Sequence, residues 1–145
     1  MELALQEVGK CIPSPSAFCV GAIIVSPPST VLATGYSREL EGNTHAEQNA
    51  IDKLVEERGA EEAHSLLQRA DIYTTMEPCS VRLSGNKPCT DRILELGIGR
   101  VFLGTKEPDD FVECEGLEKL KSAGVEVLVV EGFAERCLEA ARKGR

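Results

Sequence analysis

Apolar positions along this chain recur in two spacings, one of short β-branched or alternating runs and one of residues three to four apart, and the two interleave from end to end. Leu3, Leu5 and Val8 stand among polar neighbours before a PSPS break at Pro13 to Ser16, which predicts a short helix and then a loop. Residues 17–25 (AFCVGAIIV) and 31–36 (VLATGY) are strand-like runs separated by SPPST. So short a link cannot make a crossover, so they are expected to form an antiparallel pair around a proline-rich turn.

From Thr44 the period changes. Ala46, Ala50, Ile51, Leu54 and Val55 follow helical spacing, with Thr44 placed as a cap three residues before Glu47, so His45 and Glu47 are expected in the first turn. After a polar stretch, residues 71–75 (DIYTT) read as a strand that runs into MEPCSVRLSGNKPC, a loop rich in Pro, Gly, Ser and Asn, and a helix begins near Cys89. Residues 100–104 (RVFLG) predict a fourth strand, 113–122 a helix and 125–130 (VEVLVV) a fifth strand. A helix between two strands implies a crossover, and hence a parallel fourth and fifth strand. The last helix, 133–143, would bury Phe133, Cys137, Leu138 and Ala141. No repeat, low-complexity tract or linker interrupts the pattern, so one domain over residues 1–145 is expected. Its architecture is an α/β three-layer sandwich around a five-stranded mixed sheet.

Charge narrows the class of partner. With 24 acidic against 16 basic residues the net charge is −8, which repels a polyanion and leaves no basic footprint for nucleic acid. Aromatic residues make up 4% and tryptophan is absent, so a base-stacking platform is missing too. No apolar run is long enough for a membrane span, and the amino terminus, with Glu2 and Glu7, does not read as a signal peptide. The expected setting is therefore the reducing cytoplasm, where six cysteines are read as ligands or packing groups rather than disulfides. Cys11, Cys19, Cys114 and Cys137 are expected to pack as small apolar side chains, and Phe18, Tyr36 and Phe111 likewise. His64 and the acidic runs 56–57, 61–62 and 109–110 are expected on solvated faces, the last pair on a loop that the fold could bring near the pocket.

Three residues have the chemistry of a metal centre. Imidazole nitrogen and thiolate sulfur suit zinc, and a catalytic zinc keeps three protein ligands and one open position for water. His45, Cys79 and Cys89 supply that set, the two cysteines each following a proline, one after a strand and one at a helix start where amides and the helix dipole favour thiolate. Glu47 is the candidate proton carrier. In a regular helix it would point about 200° away from His45, so it is not expected as a fourth ligand. A structural zinc would prefer a closed set of four ligands and has no use for such a carboxylate. Arg82, Ser84, Gly85, Asn86 and Lys87 crowd the loop between the two cysteines, a composition suited to cradling a phosphate.

HAE at 45–47 with PC at 78–79 matches the HxE and PC signature of zinc-dependent base deaminases, except that nine residues separate the two cysteines instead of two. That spacing, together with HAEQNAI, TTMEPCSVRLSGNKPC and EPDDFVECEGLEKLKSAGVEV, resembles the deaminases of riboflavin biosynthesis, within the cytidine deaminase superfamily. The likeness covers nearly the whole chain and is strongest to the fungal form. It implies a cytidine-deaminase-like fold and one Zn²⁺ per chain. It also implies a homodimer and hydrolysis of a small phosphorylated pyrimidine, 2,5-diamino-6-ribitylamino-4-pyrimidinone 5′-phosphate, to 5-amino-6-ribitylaminouracil 5′-phosphate and ammonia. By the same resemblance Asn43 and the backbone at Ala46 and Cys79 contact the substrate. Bacterial relatives carry an asparagine in a PNP segment before the first strand, where this chain reads SAFCVG, so that contact does not carry over. Two alternatives stand beside this reading. One is another deaminase of the superfamily, acting on a nucleoside, a free base or tRNA, which the parallel strands and the acidic charge disfavour. The other is a noncatalytic zinc-binding partner subunit, which the intact Glu47 disfavours.

Overall fold

The computed structural model describes residues 1–108 and 114–143, so the expectations for Phe111 and for the acidic pair 109–110 lie outside the described residues. Its elements run α1 (Glu2–Val8), β1 (Gly21–Ser26), β2 (Thr30–Tyr36), α2 (Ala46–Arg58), α3 (Ala60–Leu67), β3 (Asp71–Met76), α4 (Cys89–Glu95), β4 (Arg100–Thr105), α5 (Gly116–Ser122), β5 (Glu126–Val129) and α6 (Ala134–Ala141). The five strands form one mixed sheet in the order β2-β1-β3-β4-β5. β1 and β2 make the expected antiparallel hairpin, whose turn carries the cis Pro27–Pro28 bond. β1 is also antiparallel to β3, whereas β3, β4 and β5 run parallel. α4 and α5 are the crossovers that those parallel strand connections require.

Alternation along the strands separates two faces. Ile24, Ile72 and Val101 point to the side covered by α2, α3, α4 and α5, where they pack with Leu54, Leu67, Ile93 and Leu120 in the main core. α1 and α6 pack on the sheet from the opposite side, joined to each other by an Arg136–Glu2 ion pair. On that second face the Tyr73 and Phe102 rings stack with centroids 4.4 Å apart. Burying side chains the size of Leu54 or Ile72 contributes about 1.5–3 kcal/mol each, so the main core holds the sheet and the four helices as one body.

Two departures from the expected pattern have physical causes. Thr44 does not cap α2: its hydroxyl donates to the Leu40 carbonyl, and His45, with extended backbone (φ −93°, ψ 157°), occupies the N-cap position. α3 falls within a stretch read as merely polar, because it buries only Ala63 and Leu67 and leaves its other positions half-buried or exposed.

The sheet also decides where chemistry can occur. β3 and β4 end side by side, and the amino ends of α2 and α4 meet over those carboxyl ends, the place where open parallel sheets bind ligands. Gly35 makes this approach feasible. A Cβ there would lie 2.2 Å from the Ala46 carbonyl oxygen and 2.6 Å from the Ala50 nitrogen, so only glycine lets the start of α2 lie this close on β2.

Candidate metal centre and cavity

His45 reaches the site from the entry to α2. Because it lies outside the helix, the 200° offset of a regular helix does not apply, and Glu47, two residues on, turns to the same place. Asn49, fully buried, fixes this end of α2 by donating from Nδ2 to the Tyr36 carbonyl at 2.7 Å. Cys79 follows β3 through Glu77 and Pro78, and Cys89 opens α4. The Cys89 amide donates to Cys79 Sγ at 3.3 Å, and the Thr90 amide donates to the Cys79 carbonyl at 3.2 Å.

Glu77 holds the surrounding loops. Its Oε1 accepts from the Leu117 amide at 2.7 Å and its Oε2 from the Glu107 amide at 3.2 Å, which ties the end of β3 to the segment after β4 and to α5. Gly116 lies so near the Pro78 carbonyl that a Cβ would stand 1.9 Å from its oxygen. The loop bearing the first cysteine is thus enclosed on two sides.

His45 Nδ1 lies 3.5 Å from Cys79 Sγ and 3.6 Å from Cys89 Sγ. All three candidate ligand atoms fall within 4.8 Å of one another. Around a tetrahedral zinc, with bonds of about 2.3 Å to sulfur and about 2.0 Å to nitrogen, neighbouring ligand atoms stand roughly 3.5–3.8 Å apart. The donor set and its spacing therefore fit zinc. The hydrogen bond from the Cys89 thiol pulls the Cys79 thiol down to about 4, with the His45 imidazole acting in the same direction. Donating that bond, together with complete burial, pushes the Cys89 thiol up.

Glu47 is almost fully enclosed, at 3% exposure. One carboxylate oxygen stands 3.4 Å from Cys89 Sγ and the other 3.2 Å from the Thr74 hydroxyl, whose proton is shared with the Met76 carbonyl. Burial, and then the negative charge at Cys79, raise its pKa above the ordinary carboxylate value.

His45, Glu47 and Cys79 line the floor of a cavity of about 190 Å³, with Cys89 fully buried behind them. Ser16, Ala17, Phe18, Ser37 and Arg38 make one wall, Asn43, Arg82, Leu83 and Ser84 another, and Glu107 stands beside them. Arg38 has left-handed backbone (φ 62°), and its guanidinium donates to the carbonyls of Ile12 and Phe18 at 2.8 and 3.1 Å, holding the first wall in place.

Of the loop residues expected to cradle a phosphate, Arg82 and Ser84 line the cavity, but Gly85, Asn86 and Lys87 are exposed beyond it and Lys87 pairs with Glu95. Ala46 is buried and does not line the cavity; Asn43 does. Cys11, Cys19 and Cys137 are buried, Cys114 is half-buried with its thiol on the Pro78 carbonyl, and His64 is exposed on α3. Phe18 is buried but lines the cavity rather than only packing. Glu107, Ser37 and Arg38 were not singled out from the sequence. Glu107 could have been, as an acid directly after a strand that ends beside the cysteine loop; its carboxyl is pushed up to about 7, chiefly by burial.

Comparison with known proteins agrees with this geometry. The sequence pattern of the cytidine and deoxycytidylate deaminase zinc-binding region matches residues 1–105. The chain is 48% identical over 141 residues to the diaminohydroxyphosphoribosylamino-pyrimidine deaminase of Schizosaccharomyces pombe, covering 97% of this chain and 34% of that protein. It is 37% identical to the riboflavin biosynthesis protein RibD of Actinobacillus pleuropneumoniae, covering 93% of this chain and 32% of that one. It spans about a third of the length of these curated relatives. Among solved structures, the Rib2 deaminase of Aspergillus oryzae in complex with DARIPP superposes with a TM-score of 0.87 at 34% identity, covering 99% of this chain and 88% of that one.

Proposed function

The chain belongs to the cytidine and deoxycytidylate deaminase family, and from that premise we propose that it is a zinc-dependent aminohydrolase of riboflavin biosynthesis. Its reaction is the conversion of 2,5-diamino-6-ribitylamino-4-pyrimidinone 5′-phosphate and water to 5-amino-6-ribitylaminouracil 5′-phosphate and ammonia. The observation that carries the reading is the convergence of the His45, Cys79 and Cys89 ligand atoms within 4.8 Å of one another, beside a cavity that His45 and Cys79 line, with the buried Glu47 carboxylate next to them. The likeness to riboflavin deaminases from fungi and bacteria supports the choice of substrate.

In this reading His45 Nδ1 and the sulfurs of Cys79 and Cys89 hold one zinc per chain. Bound there, zinc supplies Lewis-acid activation of water near neutral pH. Glu47 takes the first proton of the attacking water and delivers it to the ring nitrogen, then takes the second from the hydroxyl now on the ring carbon and passes it to the amine, which leaves as ammonia. Its raised pKa suits a carboxylate that must hold a proton between those steps. Thr74 keeps Glu47 in one orientation. Asn43 and Ser84, which line the cavity, contact the substrate, and the apolar side chains of Phe18, Val81 and Leu83 help keep bulk water from the ring. The same resemblance supports a homodimer, and the unpaired cysteines support a reducing, cytoplasmic setting; sedimentation velocity and cell fractionation test the two. No described helix is long and apolar enough to cross a membrane.

The test is ammonia release from a panel: the ribityl and ribosyl diaminopyrimidinone phosphates, cytidine, deoxycytidylate, cytosine and tRNA. Release from a diaminopyrimidinone phosphate alone is expected. Release confined to cytidine, deoxycytidylate or tRNA, or none from any substrate by zinc-loaded protein, would contradict the proposal.

A further inference from the structure

The nine residues between Cys79 and Cys89 must present two ligands to one point, yet they contain little structure of their own. A turn closes with the Gly85 amide on the Arg82 carbonyl at 3.0 Å, and the Asn86 amide reaches Ser84 Oγ at 3.4 Å. Val81 and Leu83 are 53% and 83% exposed, whereas Arg82 between them is only 8% exposed. A guanidinium taken out of water must find acceptors, and this one finds them on another part of the chain. Nη1 donates to Gln48 Oε1 at 3.0 Å, Nη2 donates to the Asn43 carbonyl, and Nε is enclosed without a hydrogen-bond partner among the described residues. Asn43 precedes His45 by two residues and Gln48 follows it by three. The fork thus joins the loop that carries both sulfurs to the segment that carries the imidazole and Glu47.

We propose that Arg82 is a positioning residue, which sets the distance between the two halves of the metal site and closes one wall of the cavity, and not the cation that binds the substrate's phosphate. This rests on the reading that the cluster holds zinc. Turning toward a phosphate would strip the guanidinium from both of its acceptors and release the loop. Lysine cannot substitute, because a single ammonium on a flexible stem does not reproduce a planar fork that spans two acceptors. Outer partners that orient metal ligands commonly change metal affinity by about 10- to 100-fold when removed.

The experiment uses the full chain loaded with zinc, as wild type, Arg82→Lys, Arg82→Gln and Gln48→Ala. Zinc loss to a chromophoric chelator is followed, and kcat and KM are measured with the phosphorylated and dephosphorylated forms of the same pyrimidinone. Arg82→Lys and Arg82→Gln should each lose zinc roughly 10- to 100-fold faster, with lysine giving no rescue. Gln48→Ala, which keeps the bond to the Asn43 carbonyl, should shift zinc loss less and in the same direction. Any change in KM should be equal for the two substrates. Unchanged zinc retention in all variants, full rescue by lysine, or a KM increase confined to the phosphorylated substrate would overturn the proposal. Should the arginine variants fail to fold, Gln48→Ala decides by the same readouts. Should neither pyrimidinone be deaminated, chelator competition still judges the positioning role, and the failure belongs to the choice of substrate.

Discussion

Replacing Glu47 by glutamine separates proton transfer from every structural role the residue has. Glutamine has the same shape and retains an oxygen for the Thr74 hydroxyl, which now lies 3.2 Å from Glu47 Oε1. The three ligand atoms do not include the carboxylate, so zinc content should stay at the wild-type level. Folding should not suffer, because burial and the charge at Cys79 already disfavour the ionised carboxylate in the folded state. What disappears is a group that can take up and return a proton. A positioned general acid–base contributes roughly 100- to 10,000-fold, or about 3–5 kcal/mol of barrier. Glu47 serves both proton transfers, so kcat should fall toward the upper end of that range while KM changes little. Coupled detection of ammonia gives kcat, metal analysis gives zinc content, and thermal melting gives stability. A variant that keeps its zinc and loses less than threefold in kcat would refute the proton-carrier role, and one that loses zinc would show that the carboxylate is needed to hold the metal.

Two further substitutions test the frame around the site. Gly116→Ala places a methyl group 1.9 Å from the Pro78 carbonyl oxygen, a backbone atom that cannot step aside. Urea denaturation should show a loss of about 1–3 kcal/mol or more, with faster zinc loss because the displaced loop carries Cys79. The Glu107 carboxyl, raised to about 7 by burial, binds its proton more tightly folded than unfolded. That stability is fully present below about pH 4.5 and is lost as pH rises through about 7. After discounting for partial exposure, stability of metal-stripped protein should fall by about 1 kcal/mol between pH 5 and 8 on this account. Glu107→Gln should flatten that part of the slope in urea titrations, and an unchanged slope would refute the assignment.

The strands were legible because their β-branched runs are short and bounded by turn residues, and the parallel pairing of β4 with β5 followed from one helix between them. The helix beginning near Cys89 gives the same signal for β3 with β4, whereas the place of β1 between β2 and β3 depends on contacts distant in sequence and had no local signal. α3 escaped because a helix that buries only Ala63 and Leu67 has almost no apolar stripe. The metal cluster was legible through residue chemistry, since a histidine, a glutamate and two prolyl-cysteines in that order have few other uses. Its surroundings were less so. For Arg82 the sequence records a charge that suits a phosphate but not the acceptors, on Gln48 and Asn43, which lie 34 and 39 residues away. Glu77 and Glu107 draw their roles from the amides and burial that the loops after β3 and β4 provide, and these exist only once the sheet is assembled.

X-ray absorption at the zinc edge of the purified protein tests the account most directly. Two sulfur scatterers at about 2.3 Å and two nitrogen or oxygen scatterers at about 2.0–2.1 Å are expected, of which Cys79→Ser and Cys89→Ser each remove one sulfur. A centre of three or four sulfurs, or one unchanged by either substitution, would contradict the assignment of one histidine, two cysteines and an open position.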